Sequence, residues 1–171
     1  PALSGADSIL TATGKEYKLK EALEFISKKY NYDYVIIDTP PALGILTINA
    51  LTASDYAIIP AQADIYSLQG ITQLNNTIQV VKKYTNQKLE ILGIVLTRYN
   101  ARATLTKELT DLLEDTAKQL DTKVFKTRIR ENIAVKEAQA VKQNLYTYAP
   151  KSNASKDYTA LVDEVVTAII F

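Results

Sequence analysis

The chain has no cysteine, histidine, methionine or tryptophan among its 171 residues, and only five glycines. Without cysteine and histidine there are no disulfides, thiol nucleophiles, iron–sulfur clusters, Cys/His zinc sites or histidine general bases. A serine or threonine nucleophile has no histidine partner, so hydrolase triads are excluded as well. A magnesium site built on carboxylate oxygens stays open, because magnesium prefers hard oxygen ligands. No apolar run approaches the ~20 residues of a membrane-spanning helix. Excess charge is also missing: 20 bases face 19 acids. Any nucleic-acid contact must therefore come from a local patch. The chain opens on Pro1 with no methionine, and the expectation is a piece of a longer, cytoplasmic parent protein.

What is present is an ordinary globular composition, 47% hydrophobic and 23% charged. Apolar spacing predicts helices over 15–30 (Leu19, Leu23, Ile26, Tyr30), 44–53 and 68–84 (Leu68, Ile71, Leu74, Ile78, Val81). Further helices are predicted over 104–120 (Leu105, Leu109, Leu112, Leu120), 133–141 and 155–170 (Tyr158, Leu161, Val165, Ile169). Short β-branched runs predict strands over 34–38, 56–60, 89–96 and 123–126. The first two lack alternation and read as buried on both faces, with Pro40 and Pro60 expected to stop them. The segment 146–150 reads as extended, and Tyr34 and Tyr158 read as core. Strands alternating with helices give an α/β fold in a single domain, with a mostly parallel sheet covered by helices on both faces.

Asp38 ends the first apolar run and is followed by Thr39-Pro40-Pro41. Open α/β sheets present ligands at the carboxyl ends of their strands. An acid placed there can hold Mg²⁺ directly or through its water shell, backed by a rigid strand. The same residue also reads as a turn cap ahead of proline. Spacing alone leaves both readings open.

The motifs around it decide between them. Tyr34-Val35-Ile36-Ile37-Asp38-Thr39-Pro40-Pro41-Ala42-Leu43-Gly44, followed by Leu46-Thr47-Ile48-Asn49-Ala50-Leu51, closely resembles the Walker B and switch II region of ParA/Soj partition ATPases. The likeness continues through Ile58 to Asp64, Ile91 to Tyr99, Glu137-Ala138 and Tyr148 to Ala154, and the opening Pro1 to Ala6 also fits it. The resemblance implies a P-loop NTPase-like fold, incomplete at the N-terminus, in a protein that uses ATP and Mg²⁺ to form a homodimer. It implies non-specific DNA and a ParB-type centromere-binding protein as partners, a nucleoid-associated location and no membrane. By position, Asp38 is the Walker B acid, contacting Mg²⁺ through water. Thr39, Pro40, Pro41 and Gly44 are switch II, and Thr97, Arg98, Tyr99, Arg130 and Asn132 lie on the nucleotide-base side.

The family's KGGxxKT phosphate loop and the early Asp of switch I are absent. The loop's backbone N–H groups and lysine hold the phosphates, so this chain alone is expected neither to bind ATP tightly nor to hydrolyse it. Loss of the strand behind that loop is expected to leave raw sheet edges and an unstable or patched fragment. A degenerate, non-hydrolysing module that binds DNA or a partner is the alternative of the same fold. A MinD-like membrane-site selector is a further one, but its basic amphipathic tail is replaced here by Asp163-Glu164.

Residues 123–156 hold eight bases and two acids, a local +6 in a chain whose remainder is −5. Such a stripe either stays solvated or binds phosphates by counterion release. Arg128, Arg130, Lys136 and Lys142 are the candidate DNA contacts. Glu131 and Ala134 stand where Soj-like proteins often carry arginine.

Overall fold

A computed structural model describes residues 13–101 and 104–170, with side chains from 106 onward in the second stretch. The opening residues and the side chain of Leu105 lie outside the described residues. The described chain falls into two compact units, 13–57 with 72–90, and 58–71 with 91–170.

The first unit holds a 3-10 turn (Lys15–Tyr17), α1 (Lys18–Lys29), α2 (Ile45–Ala53) and the later part of α3 (Ile65–Tyr84). One buried amide joins its early elements. Asn49 accepts from the Leu19 N–H at 3.1 Å and donates to the Lys15 and Ile45 carbonyls at 2.9 and 3.0 Å. Asn86 donates to the Leu51 and Ser54 carbonyls at 3.0 and 2.7 Å, satisfying the otherwise orphaned end of α2.

The segment 34–38 is a correction to the expected buried strand. It has no regular secondary structure and joins no ladder, and Ile36 is 94% exposed. A strand is held by its neighbours' backbone groups, and a doubly buried one also needs a layer on each face. The described residues supply neither at this segment. Tyr34, expected in the core, is 55% exposed for the same reason. On α1 the apolar stripe forms, yet no residue of the helix is buried.

The second unit is built on a parallel sheet with helices. The strand order is β1 (Tyr56–Ala61), β2 (Glu90–Tyr99), β3 (Val124–Arg130). Around the strands come α4 (Thr104–Gln119), α5 (Ile133–Ala140), the short α6 (Leu145–Tyr148) and α7 (Asn153–Ile170). The central strand β2 buries four consecutive residues, Gly93 to Leu96. Unbroken burial is what a strand covered on both faces requires. β1 lies at one edge and runs through Pro60 to Ala61, because an edge strand can spare a donor.

Val95, Phe125 and Ile129 form a buried cluster, closed by Leu92 and by Leu161 and Val165 of α7. Tyr158, also expected inward on α7, is 36% exposed. α4 turns Thr110, Leu113 and Ala117 fully inward; of the expected leucines, Leu109 and Leu120 are half-buried and Leu112 is 50% exposed. The Thr110 hydroxyl donates to the Thr106 carbonyl at 2.6 Å, which lets a polar residue occupy the inner stripe. The segment expected to be extended at 146–150 starts as a helical turn, because Asn144 caps it by accepting from the Tyr146 N–H at 2.8 Å.

β2 and β3 run parallel but out of step. Ile94 pairs with Val124 and Leu96 with Arg128, so two steps along β2 match four along β3. Such a bulge leaves N–H groups outside the ladder. Glu164 of α7 collects two of them, accepting from the Lys126 and Thr127 N–H groups at 2.9 Å each.

Candidate functional site: a cleft at the carboxyl ends of two parallel strands

β2 ends at Tyr99 and β3 at Arg130, and these two residues are register partners. Just beyond them lies a cleft of about 740 Å³, lined by Tyr99, Asn100, Ala101, Lys126, Arg128, Arg130, Glu131 and Asn153. Parallel sheets put their ligand sites at this edge because the loops there diverge and the strands supply a rigid floor. A volume of this size suits a nucleotide-sized ligand.

The side chains around the cleft are held from behind. Arg128 donates through Nη1 to the Tyr99 hydroxyl, and its guanidinium carbon lies 4.6 Å from the Tyr99 ring centroid. Its Nη2 is 3.5 Å from Glu114. Arg130 is locked more tightly, donating to Asp157 from Nε at 2.9 Å, from Nη2 at 2.6 Å and from its backbone N–H at 3.1 Å. Arg98 adopts a left-handed φ of 49° and reaches Glu131 at 3.3 Å, a carboxylate shared with Lys136 at 3.6 Å.

Other sequence-predicted residues take structural positions. The Thr97 hydroxyl donates to the Ala61 carbonyl at 3.2 Å. Asn132 caps α5 by accepting from the Ala134 N–H at 2.9 Å. Lys142 sits just past α5 with a left-handed φ of 55° and forms no ion pair among the described residues. Of the nucleotide-base set, Tyr99 and Arg130 line the cleft and Arg98 adjoins it through Glu131. Of the DNA set, Arg128, Arg130 and Lys136 are each spent on a carboxylate.

Asp38 belongs to a separate place in the first unit. It is exposed, in an irregular segment rather than at a strand end, and accepts no hydrogen bond among the described residues. With Thr39 and Pro40 it edges a smaller pocket of about 360 Å³, whose other walls include Lys18, Leu46 and Asn49. Pro41 is exposed, and Gly44 stands at the N-cap of α2 in extended conformation. The Thr47 hydroxyl donates to the Ala42 carbonyl at 2.6 Å, tying the Thr39–Gly44 loop to the helix that follows it.

Sequence reading did not single out Asp157 as a site anchor. The signal was there: Asp157, Leu161, Glu164 and Val165 fall on one face of α7, so two carboxylates lie on its inward stripe. Hydrogen bonding to Arg130 holds the Asp157 carboxyl below its usual range, against the opposing pull of burial. For Glu164, burial raises the pKa, but the Lys126 and Thr127 donors together outweigh it and leave the carboxyl lowered.

A depressed folded-state pKa stabilises above the unfolded value and loses that stability as pH falls through the folded one. Unfolding free energy is therefore expected to hold through neutrality and to drop below about pH 4. Urea melts of Asp157→Asn combined with Glu164→Gln should show a flatter acid limb than the parent. An equally steep limb would remove this assignment.

A profile of the family described as an AAA domain matches residues 2–91. Soj, the sporulation initiation inhibitor protein of Bacillus subtilis, is 43% identical over 164 residues, which is 95% of this chain and 63% of Soj. The chromosome partitioning protein ParA of Caulobacter vibrioides is 37% identical over 166 residues, covering 96% of this chain and 61% of ParA. Among solved structures, the cobyrinic acid a,c-diamide synthase of Mycobacterium smegmatis, with bound ATP analog and magnesium, superposes with a TM-score of 0.67. It is 37% identical, over 77% of this chain and 52% of that one.

The parallel sheet, its helices and the carboxyl-edge cleft define a P-loop NTPase-like α/β protein. The chain belongs to this AAA-domain family and is similar to Soj and ParA along most of its length. It spans 63% and 61% of the length of the two curated relatives. Among the described residues no helix is long and apolar enough to cross a membrane.

Proposed function

We propose that this chain is the carboxy-terminal part of a partition ATPase that segregates DNA. The parent protein binds ATP and Mg²⁺ and dimerises around the nucleotide. The loaded dimer binds DNA without sequence preference, and a ParB-type protein stimulates hydrolysis. The observation that carries this reading is the likeness to Soj along 95% of the chain, which includes the Asp38-Thr39-Pro40-Pro41 segment. This chain alone, lacking the lysine-rich phosphate loop, is inactive in this reading.

In this reading the cleft between Tyr99 and Arg130 takes the base end of a nucleotide. Asp38, in the first unit, would be the acid that holds the magnesium. Among the described residues no group of three acidic, histidine or cysteine side chains could hold a resident ion. A single exposed carboxylate ahead of two prolines fits a magnesium that arrives with its nucleotide and keeps its water, since magnesium dehydrates reluctantly. When bound, the ion supplies neutralising charge at the phosphates. Thr39 to Gly44 then reports the bound state to α2 through the Thr47–Ala42 hydrogen bond.

DNA affinity falls to Lys142, which forms no ion pair among the described residues, and to Lys136, whose exposed pair with Glu131 at 3.6 Å is weak enough to exchange. The test is DNA binding by the parent protein at several salt concentrations, with and without ATP and Mg²⁺. Binding is expected only with nucleotide. The double reversal Lys136→Glu with Lys142→Glu is expected to weaken it and to lower the log–log salt slope by about two. Nucleotide-independent binding, or an unchanged slope in the double variant, would overturn the reading.

A further inference from the structure

We propose that Asp157 is a positioning residue for the base end of the nucleotide, acting through Arg130. This rests on reading the cleft as the nucleotide-base site. Asp157 does not line the cleft. It is 9% exposed and sits behind Arg130, taking its backbone N–H, Nε and Nη2 on one carboxylate. A guanidinium is a planar fork with five N–H donors. Binding its Nε–Nη2 edge to a fixed carboxylate sets the plane of the fork and leaves the Nη1 end, which has no partner among the described residues. Arg130 itself lines the cleft, so that end is what the cleft can use.

Tyr99 is treated in the same way. It is the register partner of Arg130, and Arg128 holds its hydroxyl and covers its ring. The two side chains at the strand ends are thus immobilised before any ligand arrives. Pre-set groups cost less entropy to bind against than mobile ones.

The donors that Arg130 leaves free select the kind of ligand at its end of the cleft. Arg130 and Asp157 form a pair of no net charge, a poor attractor of phosphate by counterion release. Its spare N–H donors, beside an aromatic ring, suit a planar heterocycle with ring-nitrogen or carbonyl acceptors, which is a purine base.

Glu164 supplies an internal control. It caps the same strand from the same helix, but only through the backbone N–H groups of Lys126 and Thr127. A purely structural role for Asp157 predicts that the two carboxylates behave alike. A positioning role predicts that they do not.

The test compares Asp157→Asn, Arg130→Lys and Glu164→Gln in the parent protein, with ATP–Mg²⁺ and inorganic tripolyphosphate–Mg²⁺ as probes. Asp157→Asn is expected to raise the KM for ATP about three- to tenfold, the worth of one oriented hydrogen bond. It should leave kcat and tripolyphosphate affinity unchanged. Arg130→Lys keeps the charge but loses the fork, and is expected to repeat that pattern should Asp157→Asn fail to fold. Glu164→Gln is expected to leave the KM alone. An unchanged KM in folded Asp157→Asn or Arg130→Lys overturns the proposal, as does equal weakening of ATP and tripolyphosphate. If the unsubstituted parent binds tripolyphosphate as tightly as ATP, the base-site reading itself fails and takes the proposal with it.

Discussion

Asp38→Ala in the parent protein is expected to lower ATP turnover on the order of a hundredfold or more, the scale on which losing one fixed electrostatic contact to a phosphoryl-transfer site is felt. The fold should not notice. Asp38 is exposed and accepts no hydrogen bond among the described residues, and such surface substitutions stay within about 0.5 kcal/mol. The melting temperature is therefore expected to move by no more than about 2 °C. Phosphate release at saturating ATP and Mg²⁺, beside a thermal melt, measures both. Turnover within a few-fold of the parent would end the assignment of Asp38 as the magnesium acid. A large fall in melting temperature would show instead that the residue is a turn cap.

Gly93→Ala carries the largest stability effect. Gly93 is buried in the central strand β2, where an added Cβ would lie 2.6 Å from Cε2 and 2.8 Å from Cζ of Phe125. Real Cβ atoms do not approach that closely, so the ring must move. Phe125 is only 1% exposed and packs with Val95 and Ile129 under α7, which leaves it little room to do so. Overpacking of this kind costs about 1–3 kcal/mol, or a fall of roughly 3–10 °C for a domain of this size. Calorimetry of Gly93→Ala, Phe125→Leu and the double variant forms a cycle. The smaller leucine is expected to relieve part of the alanine's cost, giving a coupling of about 1 kcal/mol. Strict additivity would mean that the clash is absorbed elsewhere.

Both expectations start from residues that the sequence marks, and the way each is marked explains what could be read early. Helical periods and β-branched runs are local, so the longer helices and the strands at 56–61, 90–99 and 124–130 were legible within a few residues. The doubly buried strands were expected at 34–38 and 56–60, but Tyr56 and Ile58 of β1 are exposed, and it is Gly93 to Leu96 of the central β2 that are buried without interruption. The family was legible too, because the Asp38-Thr39-Pro40-Pro41 segment and the motifs after it lie in contiguous stretches.

Some failures are cases where a distant group decides, and others, at Asn144 and Thr110, turn on one side chain satisfying its own helical turn. The run at 34–38 has strand composition, but pairing needs neighbours that the described residues do not bring to it. The apolar stripe of α4 was drawn through its leucines, whereas the helix turned to bury Thr110, whose hydroxyl is satisfied within its own turn. The basic stretch read as a DNA contact, yet Arg128 and Arg130 are neutralised by Glu114 and Asp157, one before that stretch and the other after it. The sequence by itself thus determined most of the elements and the family, because each is written in neighbouring residues. Only the tertiary structure decided which charges are free and which are spent. Ion pairs form between side chains that folding brings together, and no local pattern records them.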